Sequence, residues 1–482
     1  MKKTLVIFIL FLIIFLGLLF RLKGIQSNHS FWSDEAYGAG LARDIITGEK
    51  TPLIALSRLN YEPLFILTES VFLRIFGHNE FSARIPVVLL GTAGILGAFL
   101  LAFKLSGISA GLLAAFISAF SQINLANSTQ AKPYSILQTL LLFEIYALIL
   151  LHENKKNNSK IHLLIIFLCL TSTFFHLLGT LFWLPYFFYL TYGKQYKFNK
   201  HRINLFYIFL ICCSAILLFA LYYYRINFSN HLTYFRELFW SQYSLFSLSA
   251  LFGFIYSLKY RKIVHLGIFA LIAVYLFLWT FAHYTHNVRY ILPLFSLLFV
   301  YFSVFWSEVG RRFFKQKSSV VCIIIAMLLY LGGIKIVRKP VNYYNPNSDL
   351  YGDVQIADYK TAFGLISEKF PRLDNVAVFN DWYDTQYWYL KNKLVTAYFI
   401  KGYEKPKPFP VDQTMSYGTL NQFLKVKNKY SKGLLIVEDW ESFLPEDIKQ
   451  YAKKNMKREF RVDGLPQAQG DNWPLEVYSW GL

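Results

Sequence analysis

Residues 161–191 read IHLLIIFLCLTSTFFHLLGTLFWLPYFFYLT, and the number of times this stretch crosses a bilayer decides the fold. A spanning helix needs roughly 20 consecutive apolar residues. The stretch is therefore long for one tilted helix and short for two, with His176 and Gly179 as the natural break. The flanking charges arbitrate. If two spans are counted, one side of the membrane receives Lys2 and Lys3, Lys104, ENKKNNSK, GKQYKFNKHR, KYRK and GRRFFKQK. The short loops of the other side receive only Lys132, Arg225, Arg236 and Arg289. Basic loops stay in the cytoplasm, so the N-terminus is expected inside and the tail from about residue 341 outside. One span in place of two would scramble this pattern.

Nine further stretches carry the same signal, near 4–20, 85–103, 108–125, 134–151, 203–223, 243–258, 263–282, 291–307 and 319–335, with 161–175 and 177–191 counted separately for about 11 transmembrane helices in all. The composition agrees: 482 residues, 55% hydrophobic, 19% aromatic and only 16% charged, with a mean hydropathy of +0.36. This excludes an ordinary soluble enzyme. The formal charge of +20 is no nucleic-acid signature, because the basic residues lie between apolar runs and not on one folded face. Cys169, Cys212, Cys213 and Cys322 sit inside apolar runs without a CxxC pair, which fits small core residues. The opening MKKTLVIFILFLIIFLGLLF resembles a signal sequence, but no small-residue cleavage site follows, so an uncleaved first helix is expected.

On this topology the unusual polar residues gather at the outer face: Asp34, Glu35, Glu62, Lys132, Tyr134, His176, His283, His286, Arg289 and Tyr290. A charge at membrane depth costs at least roughly 2.5–3.5 kcal/mol unless it faces protein or water. They are either a site or wet loop ends. In the first external loop, about 21–84, Ser33 reads as an N-cap, with Asp34 and Glu35 in the first turn, an apolar face at Tyr37, Leu41 and Ile45, and a stop at Gly48. Dipole-favoured acids alone account for that pattern. A second helix is expected from Pro63 to just before Gly77, too short to span and lying in the interface plane.

DEAYGAGLARDI, NYEPLF, FGHNEFSARIPVVLLG, NSTQAKPYSILQTL, STFFHLLGTLFWLP and NVRYILPL follow one another in this order. Together they resemble the GT-C class of membrane glycosyltransferases over about residues 1–310, and more narrowly the bacterial branch related to protein O-mannosyltransferases and to the aminoarabinose transferases that modify lipid A. The resemblance implies transfer of one sugar from a polyprenyl-phosphate donor to a protein, lipid A or glycan acceptor outside the cytoplasm, inverting, with the acidic pair Asp34 and Glu35 in catalysis. Two departures stand out. Glu62 replaces the first proline of the family's HPPL, and Lys132 stands where the family has an arginine, keeping the charge but losing the bidentate fork.

The chemistry asks for these residue types in its own right. Displacing a sugar from a lipid phosphate needs a base for the acceptor's proton, cations on the departing phosphate and an apolar wall for the isoprenoid. Asp34 is the candidate base and Glu35 its orienting partner or a holder of sugar hydroxyls. Arg289, with Lys132 second, is the candidate for the donor phosphate, against the reading that Arg289 and Tyr290 mark a membrane interface. Glu62, Tyr134, His176, His283, His286 and Tyr290 are candidate substrate contacts. His176 reads either as a bonded core group or as part of the sugar site, and Tyr134 as a helix-end anchor. His283 and His286, three apart, lack a third ligand nearby in sequence. No obligatory metal is expected, because a monophosphate leaving group held by cations does not require one.

The chain therefore divides into a transmembrane domain, 1–340, and a soluble extracytoplasmic α/β domain, 341–482. NVAVFN, KLVTAYFI and GLLIVED read as buried strands, with helices near 357–369, 382–391, 416–427 and 445–455 and a largely parallel sheet. Nothing in this tail reads as catalytic, and Asp381 and Asp439 read as caps. By family analogy it covers the outer site or helps bind the acceptor. The competing functions are a flippase or transporter of polyprenyl-linked lipid, against which the absence of an internal repeat argues, and a glycan ligase or polymerase.

Overall fold

His176 breaks the 161–191 stretch in the computed structural model. Its backbone is extended, φ −165° and ψ 143°, between the helix Ser159–Phe175 and a 3-10 turn Leu177–Phe182 that leads into the helix Trp183–Tyr192. The turn folds back on the helix before it, and Gly179 permits this: a Cβ there would lie 2.2 Å from the Ser172 carbonyl. A break at membrane depth must satisfy its own backbone groups. The His176 ring does part of this, its Nδ1 accepting from the Leu178 N–H at 3.0 Å. The stretch is two helical segments.

The structure describes residues 3–26, 30–53, 62–154, 158–193, 232–282, 287–314, 318–338, 357–380, 383–390, 396–399, 405–408, 415–438, 444–464 and 474–482. Among these, the helices in chain order are α1 (Lys3–Gln26), α2 (Ser33–Thr47), α3 (Pro63–Phe76), α4 (Glu80–Ser106), α5 (Ile108–Phe120), α6 (Gln122–Asn127), α7 (Tyr134–Glu153), α8 (Ser159–Phe175), α9 (Trp183–Tyr192), α10 (Ser244–Tyr260), α11 (Lys262–Phe277), α12 (Leu292–Phe313) and α13 (Ser318–Gly332). Those that begin at Lys3, Glu80 and Tyr134, and the segments Lys262–Thr280 and Val288–Phe313, are long and apolar enough to span, which makes five. A sixth span results if Tyr234–Gln242 and α10, bent by 93°, are one crossing. α5, α8, α13 and the segment Leu177–Tyr192 are apolar but shorter, so the expected 11 spans are not all matched by full-length helices. The expected span at 203–223 lies outside the described residues.

Two compact units divide the chain. The first comprises Met1–Ser27, Tyr61–Thr68 and Arg84–Tyr343, and holds the apolar helices. Arg21, near the end of α1, donates to the Ser118 and Ala119 carbonyls at 3.1 Å each and to the Ser128 hydroxyl at 3.1 Å. These carbonyls are in the last turn of α5, where intrahelical donors run out. The Phe120 carbonyl beside them accepts from the Val337 N–H, and the Gln122 N–H donates to the Lys335 carbonyl, both at 3.0 Å. The break between α5 and α6 is thus stitched rather than left open.

The second unit comprises Asn28–Asn60, Glu69–Ala83 and Tyr344–Leu482. The first-loop segment around α2 therefore folds with the C-terminal residues. Here α14 (Tyr359–Lys369), α15 (Tyr383–Tyr389), α16 (Leu420–Lys429) and α17 (Glu446–Asn455) accompany β1 (Ala377–Phe379), β2 (Thr396–Phe399), β3 (Lys407–Pro408), β4 (Met415–Tyr417), β5 (Gly433–Glu438), β6 (Lys457–Val462) and β7 (Leu475–Trp480). The seven strands form one sheet in the order β3-β4-β2-β1-β5-β7-β6. Pairings β1–β2, β1–β5 and β2–β4 are parallel; β3–β4, β5–β7 and β6–β7 are antiparallel. The expected largely parallel sheet is thus corrected to a mixed one. Its charged edge strand KREFRV carries no apolar run to betray it, and residues 416–417, expected to begin a helix, belong to the strand Met415–Tyr417.

Both faces of the sheet are buried, as the parallel centre requires. Along β5, Leu434 and Ile436 pack with Tyr359, Phe363 and Ile366 of α14. Leu435 and Val437 point the other way, onto Phe423 of α16 and Ile448 of α17.

Candidate functional site

In the first unit the outer-face candidates converge. Glu62 immediately precedes α3, Lys132 and Tyr134 lie at the start of α7, His176 is at the end of α8, and Arg289 and Tyr290 are in the 3-10 turn Val288–Ile291 that leads into α12. Lys132 Nζ lies 3.2 Å from both carboxylate oxygens of Glu62, and His176 Nε2 is 3.9 Å from Glu62 Oε1. The Tyr134 ring stands 5.4 Å from His176 and 5.9 Å, edge-on, from Tyr290. Arg289 is buried; its guanidinium lies 5.0 Å over the Tyr290 ring and donates to the Tyr290 hydroxyl at 3.1 Å.

A second layer holds these groups. The Asn287 side chain accepts from the Arg289 N–H at 2.9 Å, which starts the turn as a cap. The Tyr234 hydroxyl bonds both the N–H and the carbonyl of Asn287, at 2.8 and 2.9 Å. Tyr275 donates to the Tyr290 carbonyl at 2.7 Å, and Trp279 stacks on the Tyr290 ring at 4.4 Å. Tyr234, Tyr275 and Trp279 escape sequence reasoning because each looks like an ordinary aromatic in an apolar run.

Electrostatics ties the cluster together. His176 lies between helices, with Nδ1 engaged by Leu178, so its proton sits on Nε2. A ring that accepts at Nδ1 is neutral. Lys132 is not a bare cation, however. It pairs with Glu62, the departure from HPPL, so an anion approaching Lys132 would compete with a carboxylate.

Asp34 and Glu35 lie in the second unit, in the first turn of α2, Asp34 half-buried and Glu35 fully buried. Gly48, with φ 79°, ends the helix in the left-handed region where glycine costs least. The start differs from expectation. Trp32 is at the cap position and Ser33 is already helical, its hydroxyl donating to Asp384 of α15 at 2.5 Å. α2 is anchored on α15 elsewhere too. Arg43 donates to the Tyr387 and Trp388 carbonyls at 3.0 and 3.1 Å, Tyr387 bonds Asp44, and Lys50 pairs with Asp44 at 3.1 Å. A Cβ at position 40 would lie 2.3 Å from the Tyr387 ring, so Gly40 is what lets the two helices meet. Glu69, also fully buried, has a carboxylate oxygen 3.3 Å from where a Gly38 Cβ would stand.

His283 and His286 lie outside the described residues. Among the described residues, no three His, Cys, Asp or Glu side chains converge to hold a metal.

Residues 62–223 match the family model of dolichyl-phosphate-mannose-protein mannosyltransferases, a segment that includes Glu62, Lys132 and His176. The structure of ArnT from Cupriavidus metallidurans bound to undecaprenyl phosphate superposes with a TM-score of 0.60 at 13% identity, covering 97% of each chain. Its apo form gives 0.61 with the same identity and coverage. The fold is that of the GT-C membrane glycosyltransferases. The structure of the Archaeoglobus fulgidus oligosaccharyltransferase tethered to an acceptor peptide containing the NVT sequon is also similar, with a TM-score of 0.54 at 12% identity, covering 91% of this chain and 69% of the other. No curated protein matches the sequence.

Proposed function

We propose that this protein transfers a single sugar from a polyprenyl-phosphate donor to an acceptor at the outer face of the cytoplasmic membrane, with inversion. Arg289 holds the departing phosphate through charge-assisted N–H bonds. Lys132 assists once Glu62 yields it. Asp34 takes the acceptor's proton, and Glu35 orients it. The neutral His176 and the rings of Tyr134 and Tyr290 supply the polar and aromatic surface on which a sugar hydroxyl and ring can rest.

The observation that carries the proposal is the chain of contacts from Lys132 through Glu62 to His176, and from His176 through Tyr134 and Tyr290 to the buried Arg289 guanidinium. The fold shared with ArnT supports it, since that structure holds undecaprenyl phosphate. The acceptor is a protein, lipid A or another glycan, and the cell-envelope glycans of a strain lacking the gene would identify it. Purified protein given a polyprenyl-monophosphate sugar should transfer or hydrolyse the sugar. Movement of lipid without chemistry would make it a flippase, and use of a diphosphate donor alone would make it a ligase.

A further inference from the structure

At the other end of the same helices the first unit contains a second polar feature. α7 starts at Tyr134 and ends at Glu153, so its 20 residues, at 1.5 Å each, carry the chain about 30 Å from the Lys132 cluster. There a cavity of about 530 Å³ is lined by His152, Glu153, Tyr256, Tyr260, Arg261 and Arg311, together with Leu105. α4, α7, α10 and α12 all end around it, each presenting its C-terminal turn, where cations are favoured.

The arginines are held in place before any ligand arrives. Arg261 bonds Glu153 at 2.7 and 2.9 Å and the Lys104 carbonyl at 3.1 Å. Arg311 bonds the Ser106 carbonyl and pairs with Glu308, both at 2.8 Å. Lys104 shares Glu153 at 2.6 Å. Among the described residues, the acidic partners of Lys104, Arg261 and Arg311 are Glu153 and Glu308, and Lys259, Lys262 and Arg312 add positive charge close by in sequence. A guanidinium carries five N–H donors, more than these contacts use. Leading to the cavity, α10 exposes Leu245, Leu248, Leu251, Phe252 and Ile255 on one apolar stripe, and Tyr260 is 60% exposed at its end.

We propose that this cavity binds the phosphate headgroup of an anionic phospholipid, with its acyl chains along the α10 stripe. Oriented guanidinium forks suit a phosphodiester, the tyrosine hydroxyls suit its glycerol oxygens, and the surplus charge favours an anionic over a zwitterionic lipid. Basic pockets between helix ends on the cytoplasmic side bind such headgroups. The inference rests on the membrane reading but not on sugar transfer, so the two fail separately.

Native mass spectrometry of the full chain with phosphatidylglycerol, phosphatidylcholine or inorganic phosphate tests it without requiring turnover. Phosphatidylglycerol should be retained selectively, and Arg311→Gln and Arg261→Gln should each weaken retention about fivefold. Lys160→Gln, an exposed basic residue outside the cavity, should change nothing. Should Arg261→Gln fail to fold, Arg311→Gln decides alone, because the Arg311 side chain is 45% exposed. Equal retention of phosphatidylcholine, equal loss in Lys160→Gln, or full competition by inorganic phosphate would overturn the proposal.

Discussion

Asp34 occupies the first turn of α2, where a carboxylate gains at most roughly 1 kcal/mol from the helix dipole. Asn is nearly isosteric there but cannot take a proton. Asp34→Asn is therefore expected to lose on the order of 10² or more in turnover, with donor binding and melting temperature near wild type. Sugar transfer at the normal rate would reduce Asp34 to a helix start. Arg289 makes a different demand, because its proposed role is to hold an anion. Arg289→Ala should weaken donor affinity in an equilibrium binding assay, and Arg289→Lys should recover only part of it, since an ammonium lacks the planar fork. Unchanged affinity in the Ala variant would remove Arg289 from the site. These residue types were legible in the sequence. The pairing of Lys132 with Glu62 was not, because it joins residues 70 apart and only folding says which carboxylate meets which lysine.

Among the elements, α2 and α15 form one working piece. Tyr387 lies over Gly40 and bonds Asp44 and Lys50, so Tyr387→Ala removes the surface that fixes the height and rotation of α2. If α2 carries the proposed base, we expect a drop of about tenfold or more in kcat, with KM for the donor little changed; equal changes in both would point to general unfolding. The end of α2 and both boundaries of α3 were readable from glycine and proline because caps are local. The edge strand β6 was not, and its stability has a pH signature. Burial raises the Glu459 pKa, but Lys369, Ser479 and Lys457 outweigh this and hold it at about 2, below its usual 4.5. Its folded value is depressed, so its stabilisation is present above pH 4.5 and is lost as pH falls toward 2. Hydrogen exchange of β6 should accelerate over that window, and Glu459→Gln should flatten the response.

For the whole molecule, the distribution of lysine and arginine predicts which loops remain in the cytoplasm. In a cysteine-free background, Lys156→Cys should react with an impermeant maleimide only after the cells are opened, whereas Lys454→Cys should react in intact cells; the reverse pattern would invert the topology. That the chain is a membrane protein and that its tail combines helices with a sheet were both in the sequence. Each follows from composition or short-range periodicity, and burial of an apolar run needs no knowledge of its neighbour. Only the tertiary structure decided that the segment bearing Asp34 and Glu35 folds with the C-terminal residues, through contacts such as Ser33 to Asp384 that span 351 positions. It alone gave Glu62 to Lys132, brought Tyr134 between His176 and Tyr290, and mixed the sheet. Partner choice among polar side chains depends on distance in space, which local spacing does not encode.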